Sequence, residues 1–445
     1  MPRKRRCSLQ QGRRCCIIIT CYFTFNPKRR CNMDILSHIQ NQFLIFDGAF
    51  GTVLMDGVLQ PGENPSVLNI TKPEAVTEIH RKYLESGAMV ITLNTFSNSR
   101  FKVEGLPYTV EELAHAAFEC AARAVEKAGK SAYIIYDIGP CGKLLEPMGE
   151  VSFNEAYEIY KEQALLAEKL GADAVLIETM ADPYELKIGA LSVKENTKLP
   201  LFCSITLEQN GRTYTGGCLE SVAAMMESVG ADAVGINCSV GPKDLLPYAK
   251  QLTAMTSLPI LVQPNAGLPQ ERDGVTTFDV TPEEYAGVMG ELAACGVNIL
   301  GGCCGTNYEY IRQLSGVLAK MQPFKRTPDL RSTACTATVC ITIDTDTPAF
   351  ELVTPENAEE ISDYITSGDF DSVLDLALDK LFDTDAEYMN IDFTQLPSVS
   401  AEQGAELVKA LQTAVRIPFG ITAVNQAFAD TVARVYNGKP AIMVK

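Results

Sequence analysis

The chain contains no tryptophan and three histidines, His38, His80 and His115, in 445 residues. Both shortages exclude something. A metal site rich in imidazole cannot be assembled from three scattered histidines. An aromatic cage for a quaternary ammonium lacks its best ring. No apolar run approaches the roughly 18 residues needed to cross a bilayer, so a membrane partner is not expected. Basic residues are scarce outside the first 33 positions. That segment carries nine Lys or Arg and no acid, and the remainder holds 29 bases against 55 acids. A surface so acidic repels a phosphate backbone, so no nucleic-acid partner is expected either. Small molecules are the better match.

What is present is ordinary globular composition, with 46% hydrophobic and 21% charged residues, at a length that suits one large barrel or two to three average domains. The 15 cysteines show no regular disulfide spacing. In a chain this large they read as reduced thiols of a cytoplasmic protein, serving as core or metal ligands. Residues 1–32, with PRKRR, CCIIITCYFTF and PKRR, form a basic tail expected to be unstructured. A basic start before an apolar run suggests a signal peptide, but no small-residue cleavage site follows. Met33 is the expected initiator.

From residue 43 to about 306, eight apolar runs alternate with helical stretches. The runs are FLIFDG (43–48), MVITLNTF (89–96), AYIIYDIGP (132–140), AVLIETM (174–180), PLFCSITL (200–207), AVGINCS (233–239), PILVQPNAG (259–267) and VNILGGCCG (297–305). They are apolar almost without alternation, as parallel strands covered on both faces must be. Segments such as 73–88 and 154–172 repeat apolar residues every three to four positions, with acids in the first turn and a terminal glycine. Eight such units over about 270 residues predict a (β/α)8 TIM barrel. A doubly wound sheet would show a glycine-rich phosphate loop after its first strand; Asp47-Gly48-Ala49-Phe50-Gly51 lacks that spacing. After a barrel unit at 33–325 and a linker at 326–340, residues 341–445 repeat the βα pattern for half a barrel, a partial second βα module.

In such barrels the chemistry lies at the carboxyl ends of the strands. The polar residues there are Asp47, Asn94, Asp137, Glu178, Cys238, Asn265, Cys303 and Cys304. Strands six and eight flank strand seven, so the three cysteines can meet. Three thiolates and one open position make a catalytic type of zinc site. Equally, a buried cysteine is a small apolar core residue, and spacing alone leaves the two readings level.

The motifs DGAFGT (47–52), LNTF (93–96), DIGPCGKLLEPMGE (137–150), IETM (177–180), GINCSVGP (235–242), QPNAG (263–267) and GGCCGT (301–306) together resemble the homocysteine S-methyltransferase family over about residues 43–315. The resemblance is strongest to the homocysteine-binding barrel of cobalamin-dependent methionine synthases. It implies that Cys238, Cys303 and Cys304 bind Zn2+ and through it activate the substrate thiol. It also implies that Asn265 lies beside the metal, and that Asp47, Glu178 and Asn265 contact homocysteine. The tail is similar to the first half of the folate-binding (pterin-binding) barrel of methionine synthases, but FELVTPENAE stands where the expected opening motif GERIN would be.

The methyl donor implied is methylcobalamin, yet no D-x-H-x-x-G signature exists: Leu36, Glu78 and Leu113 precede the three histidines by two positions. Either a separate corrinoid or folate-binding methyltransferase protein is the partner, or the chain is a truncated or degenerate relative. S-methylmethionine or betaine are alternative donors. A Schiff-base aldolase would need a strand-end lysine, and only Lys143, in a loop, comes near. A non-catalytic zinc-thiolate subunit is the alternative of another class.

Overall fold

All eight apolar runs contain a barrel strand. The computed structural model describes residue 31, residues 33–272 and residues 275–445; the basic segment at 1–32 otherwise lies outside them. The strands are β1 (Leu44–Ile45), β2 (Val90–Thr92), β3 (Tyr133–Ile138), β4 (Ala174–Met180), β5 (Leu201–Ile205), β6 (Ala233–Cys238), β7 (Ile260–Pro264) and β8 (Ile299–Leu300). They run parallel in the order β1-β8-β7-β6-β5-β4-β3-β2. The Met89 amide donates to the Ile45 carbonyl at 2.8 Å, bridging the two ends. The sheet therefore curls into a nearly closed TIM barrel.

One long helix follows each strand, from Pro73–Glu85 to Tyr308–Leu318, and two short ones, Phe50–Met55 and Leu68–Thr71, precede the first of them. Their ends follow local chemistry. Thr109 and Thr281 form capping boxes with Glu112 and Glu284, each cap contributing about 1 kcal/mol. Ser152 accepts the Glu155 amide as N-cap, and Gly171 closes the same helix in a left-handed conformation that suits glycine.

Both faces of each strand are buried, which is why the runs show no alternation. Leu44, Phe46, Tyr133, Ile135, Leu176 and Phe202 belong to one cluster inside the barrel, closed from below by Ile35 and Ile39. Ile134, Tyr136, Val175 and Ile177 pack outward into the helical layer. Two residues further up each strand the interior changes character. Side chains alternate with period two, so the next inward positions are Thr92, Asp137, Glu178, Ser204, Asn237 and Gln263. The barrel thus ends in a polar tier.

The tail begins inside the stretch read as a linker. Strands β9 (Thr333–Thr336) and β10 (Cys340–Thr342) make an antiparallel sheet with β14 (Gly438–Lys439). A second, parallel sheet has the order β11 (Ala349–Glu351), β12 (Tyr388–Asp392), β13 (Phe419–Ala423), β15 (Ala441–Val444). Between the first two strands of that sheet lie two helices, Ala358–Ser367 and Phe370–Phe382, separated at Gly368, which takes a φ of +81°.

This module shares a core with the barrel. Leu145, Phe153, Tyr184 and Ile188 of the barrel cluster with Val373, Ile391, Phe419 and Tyr436 of the tail. The buried Lys187 ammonium donates to the carbonyls of Ala433, Tyr436 and Gly438 at 2.8, 2.7 and 2.9 Å. At the rim of the contact, Arg434 pairs both guanidinium edges with Glu195.

Candidate active site

The loops after β1, β7 and β8 meet at the mouth of the barrel, and each carries one of the sequence motifs. The β8 loop is tied to the other two through its backbone. Gly302 donates to the Asp47 carbonyl at 3.0 Å, Cys303 to the Pro264 carbonyl at 2.8 Å, and Cys304 accepts from Ala266 at 2.9 Å. Thr306 secures the join, its hydroxyl donating to Cys303 and accepting from Ala49. The glycines are required by close approach. A Cβ on Gly301 would lie 2.6 Å from the Cβ of Phe46, and one on Gly305, already at φ +81°, would lie 2.3 Å from the Phe278 ring.

Cys238 should point outward by strand alternation, since Asn237 points in. It does not. Cys238 and Ser239 both adopt left-handed backbone conformations, φ +55° and +61°, costing on the order of 1–3 kcal/mol each for residues with a Cβ. The Ser239 hydroxyl offsets part of this by accepting from the Leu207 amide at 2.7 Å and donating to the Asn237 carbonyl at 3.0 Å. The turn swings Cys238 over the mouth.

The three expected cysteines are brought together. The Sγ atoms of Cys238, Cys303 and Cys304 all lie within 4.8 Å of one another, making the group of His, Cys, Asp or Glu that fits a metal ion among the described residues. Cys238 Sγ is 3.7 Å from Cys304 Sγ. A tetrahedral zinc with Zn–S bonds of about 2.3 Å separates its sulfurs by about 3.8 Å, so the donor set and its spacing fit that ion. Hydrogen bonds from Cys238 and Cys303 pull the Cys304 thiol far below its usual range, so negative charge is already favoured there. The three histidines lie elsewhere: His38 bonds Tyr133 and Phe43, His80 packs on Phe50, and His115 is exposed.

Below the sulfurs sit the carboxylates. Asp47 is buried and accepts from the Thr92 amide at 2.9 Å and the Thr92 hydroxyl at 3.0 Å. Withdrawal from water nevertheless raises it to about 7. Glu178, half-buried, is raised to about 8 by desolvation, with Cys238 and Asp47 adding repulsion. Asn265 borders the site, donating to the Ser239 carbonyl at 3.3 Å while its Oδ1 has no partner.

Asn237 escaped the sequence reading. Its Nδ2 donates to Glu178 and Thr179, and its Oδ1 accepts from the Thr179 amide and the Ser204 hydroxyl. The signal available was its place in GINC, one position from Cys238, on the inward face of β6.

Residues 44–318 match the homocysteine S-methyltransferase family. The chain belongs to that family. The methionine synthase of Mycobacterium leprae is 30% identical over 305 residues, covering 64% of this chain and 25% of that protein. That of Mycobacterium tuberculosis is 27% identical over 381 residues, covering 81% and 32%. The chain therefore spans a third or less of the length of these curated relatives. In three dimensions it is similar to the homocysteine methyltransferase MmuM from Escherichia coli in its metallated form, with a TM-score of 0.53 at 20% identity over 62% of this chain and 96% of that one. At that identity the likeness concerns the fold. Among the described residues no helix is long and apolar enough to cross a membrane.

Proposed function

We propose that this homocysteine S-methyltransferase family member transfers a methyl group to the sulfur of homocysteine to give methionine, with zinc held by Cys238, Cys303 and Cys304. The convergence of three sulfurs within 4.8 Å carries this reading. Held by these three cysteines, zinc would supply an open position that lowers the pKa of a substrate thiol, ordinarily near 8.5, while the three thiolates would keep its sulfur nucleophilic. The protein's residues do the rest. Glu178, oriented by Asn237, and Asp47, oriented by Thr92, offer carboxyl groups to the amino acid's ammonium. Asn265 lies beside the sulfurs with an acceptor free for substrate.

The donor in this reading is methylcobalamin on a separate protein or domain. Residues 33–325 serve as the homocysteine-binding barrel, and the tail that follows as a partial pterin-binding-like module. A site built of reduced thiols belongs in the cytoplasm.

The test is the zinc content of purified protein, wild type against Cys304→Ser, with methionine formation from homocysteine and methylcobalamin, S-methylmethionine or betaine. Expected are close to one zinc per chain, its loss in the variant, and turnover with methylcobalamin. Zinc-free wild-type protein would overturn the reading; turnover only with another donor would replace the donor.

A further inference from the structure

The hairpin that opens the tail carries two cysteines that the reading above leaves without work. Cys335 lies in β9 and Cys340 in β10, directly opposite one another in the antiparallel register. The backbone bonds on either side fix what kind of pair this is. The Thr336 amide donates to the Val339 carbonyl at 2.9 Å, and further along the Ile343 amide donates to the Ser332 carbonyl at 2.8 Å. Bonded and unbonded pairs alternate along such a ladder, which makes Cys335 and Cys340 an unbonded pair. Side chains stand closest at these positions, with Cα atoms about 4.5 Å apart. A disulfide spans Cα separations of about 4.4 to 6.8 Å. Both side chains leave the same face of the hairpin, and both pack against the barrel core.

The register is held from outside. At the tip, the Thr336 hydroxyl accepts the amides of Thr338 and Val339 at 3.2 and 3.1 Å. The barrel grips the same tip: the Cys218 amide donates to the Ala337 carbonyl at 3.1 Å, and Arg212 to the Thr338 carbonyl at 3.2 Å. Along its other edge β9 pairs with β14. Cys335 therefore cannot slide away from Cys340 without breaking the joint between barrel and tail.

The two sulfurs differ in their surroundings. Cys335 is fully buried, its Sγ 3.7 Å from the Ser221 carbonyl, while Cys340 is half-buried. A hydrogen bond from Cys340 holds the Cys335 thiol below its usual range in spite of burial, helped by the Lys439 amide and by Lys187, and Cys340 is raised in return. The inner sulfur is thus the one favoured as thiolate, the form that reacts. Cys203 gives the contrast: desolvation in the apolar core pushes its thiol up, as for an inert packing residue.

We propose that Cys335 and Cys340 are a site of reversible oxidation, closing a cross-strand disulfide by exchange with a low-molecular-weight disulfide such as oxidised glutathione. The outer Cys340, as thiolate, attacks one sulfur of that oxidant, breaking its S–S bond and releasing one thiol. Cys335, as thiolate, then attacks the Cys340 sulfur of the mixed disulfide and displaces the second thiol. Two protein thiols are oxidised, one disulfide is reduced to two thiols, and both protons leave with them. In a reducing compartment the dithiol is the resting form. The site is separate from the three cysteines proposed to hold zinc and does not depend on the methyl-transfer reading.

The experiment incubates the full chain as purified with oxidised glutathione, blocks free thiols with N-ethylmaleimide, and reads each cysteine by peptide mass spectrometry. The tryptic peptide that carries both residues is expected to lose both alkylation sites and two hydrogens, and dithiothreitol added before blocking should restore them. Cys335→Ser should stop at a glutathione adduct on Cys340, and Cys340→Ser should leave the buried Cys335 free. Wild-type protein in which both thiols are still alkylated overturns the proposal. So does a glutathione adduct that persists on Cys340, or a bond from either cysteine to Cys218. Should either variant fail to fold, the wild-type peptide decides alone.

Discussion

The Asn237 side-chain amide donates to the Glu178 carboxylate at 3.1 Å and to the Thr179 hydroxyl at 2.7 Å, from the strand position immediately before a candidate metal ligand. One residue thereby couples the orientation of Glu178 to the turn that presents Cys238. Asn237→Asp retains the acceptor for Thr179 and Ser204 but sets a second carboxylate against Glu178. We expect zinc content to hold and KM for homocysteine to rise about tenfold, equivalent to ~1.4 kcal/mol. Unchanged KM would dissociate Glu178 from substrate.

Asn265 makes a single side-chain hydrogen bond, to Ser239, and has a free acceptor. Asn265→Ala should spare most of the bound zinc while lowering kcat/KM by about an order of magnitude, the scale of one lost hydrogen bond. Metal analysis beside steady-state kinetics checks it. Full activity would exclude Asn265 from the site.

Lys187 joins barrel and tail through three carbonyls in a contact 4% exposed. Lys187→Met keeps the stem and deletes the donors, stranding three buried acceptors at about 1–3 kcal/mol each before relaxation. Urea unfolding should show a loss of roughly 3–5 kcal/mol, or a separate early transition as the tail detaches. A variant as stable as wild type would show the three bonds to be idle.

His80 is fully buried against Phe50, with no partner for either ring nitrogen. Burial lowers its pKa to about 3, while the unfolded chain titrates near 6.5. Between these values the unfolded state binds the extra proton, so stability falls as pH drops below about 6.5. His80→Phe removes this group. From pH 7 to pH 5 the wild type should lose about 2 kcal/mol more than the variant, measured by denaturant midpoints; parallel losses would contradict a neutral buried imidazole.

All eight strands were legible because parallel strands buried on both sides leave unbroken apolar runs, from FLIFDG to VNILGGCCG. The cysteines were legible as a set through their motifs, since adjacency in sequence says nothing of convergence. Harder to read was the inward tier. Assigning Asn237 or Asp137 to the interior needs the phase of each strand, and one position of error reverses every assignment. The left-handed turn at Cys238 and Ser239 carries no glycine to announce it. Nor does Lys187 announce itself: a lysine in PYELKIGALSVKEN reads as solvated, and only the docked tail makes it interior.

That docked tail changes what a deletion would do. Cutting the chain near residue 325 would strip the cover from Tyr184, Ile188 and Phe153, leaving a greasy scar on the flank of the barrel and Lys187 without its three acceptors. Inheritance and engineering alike must therefore handle the two portions as a single casting.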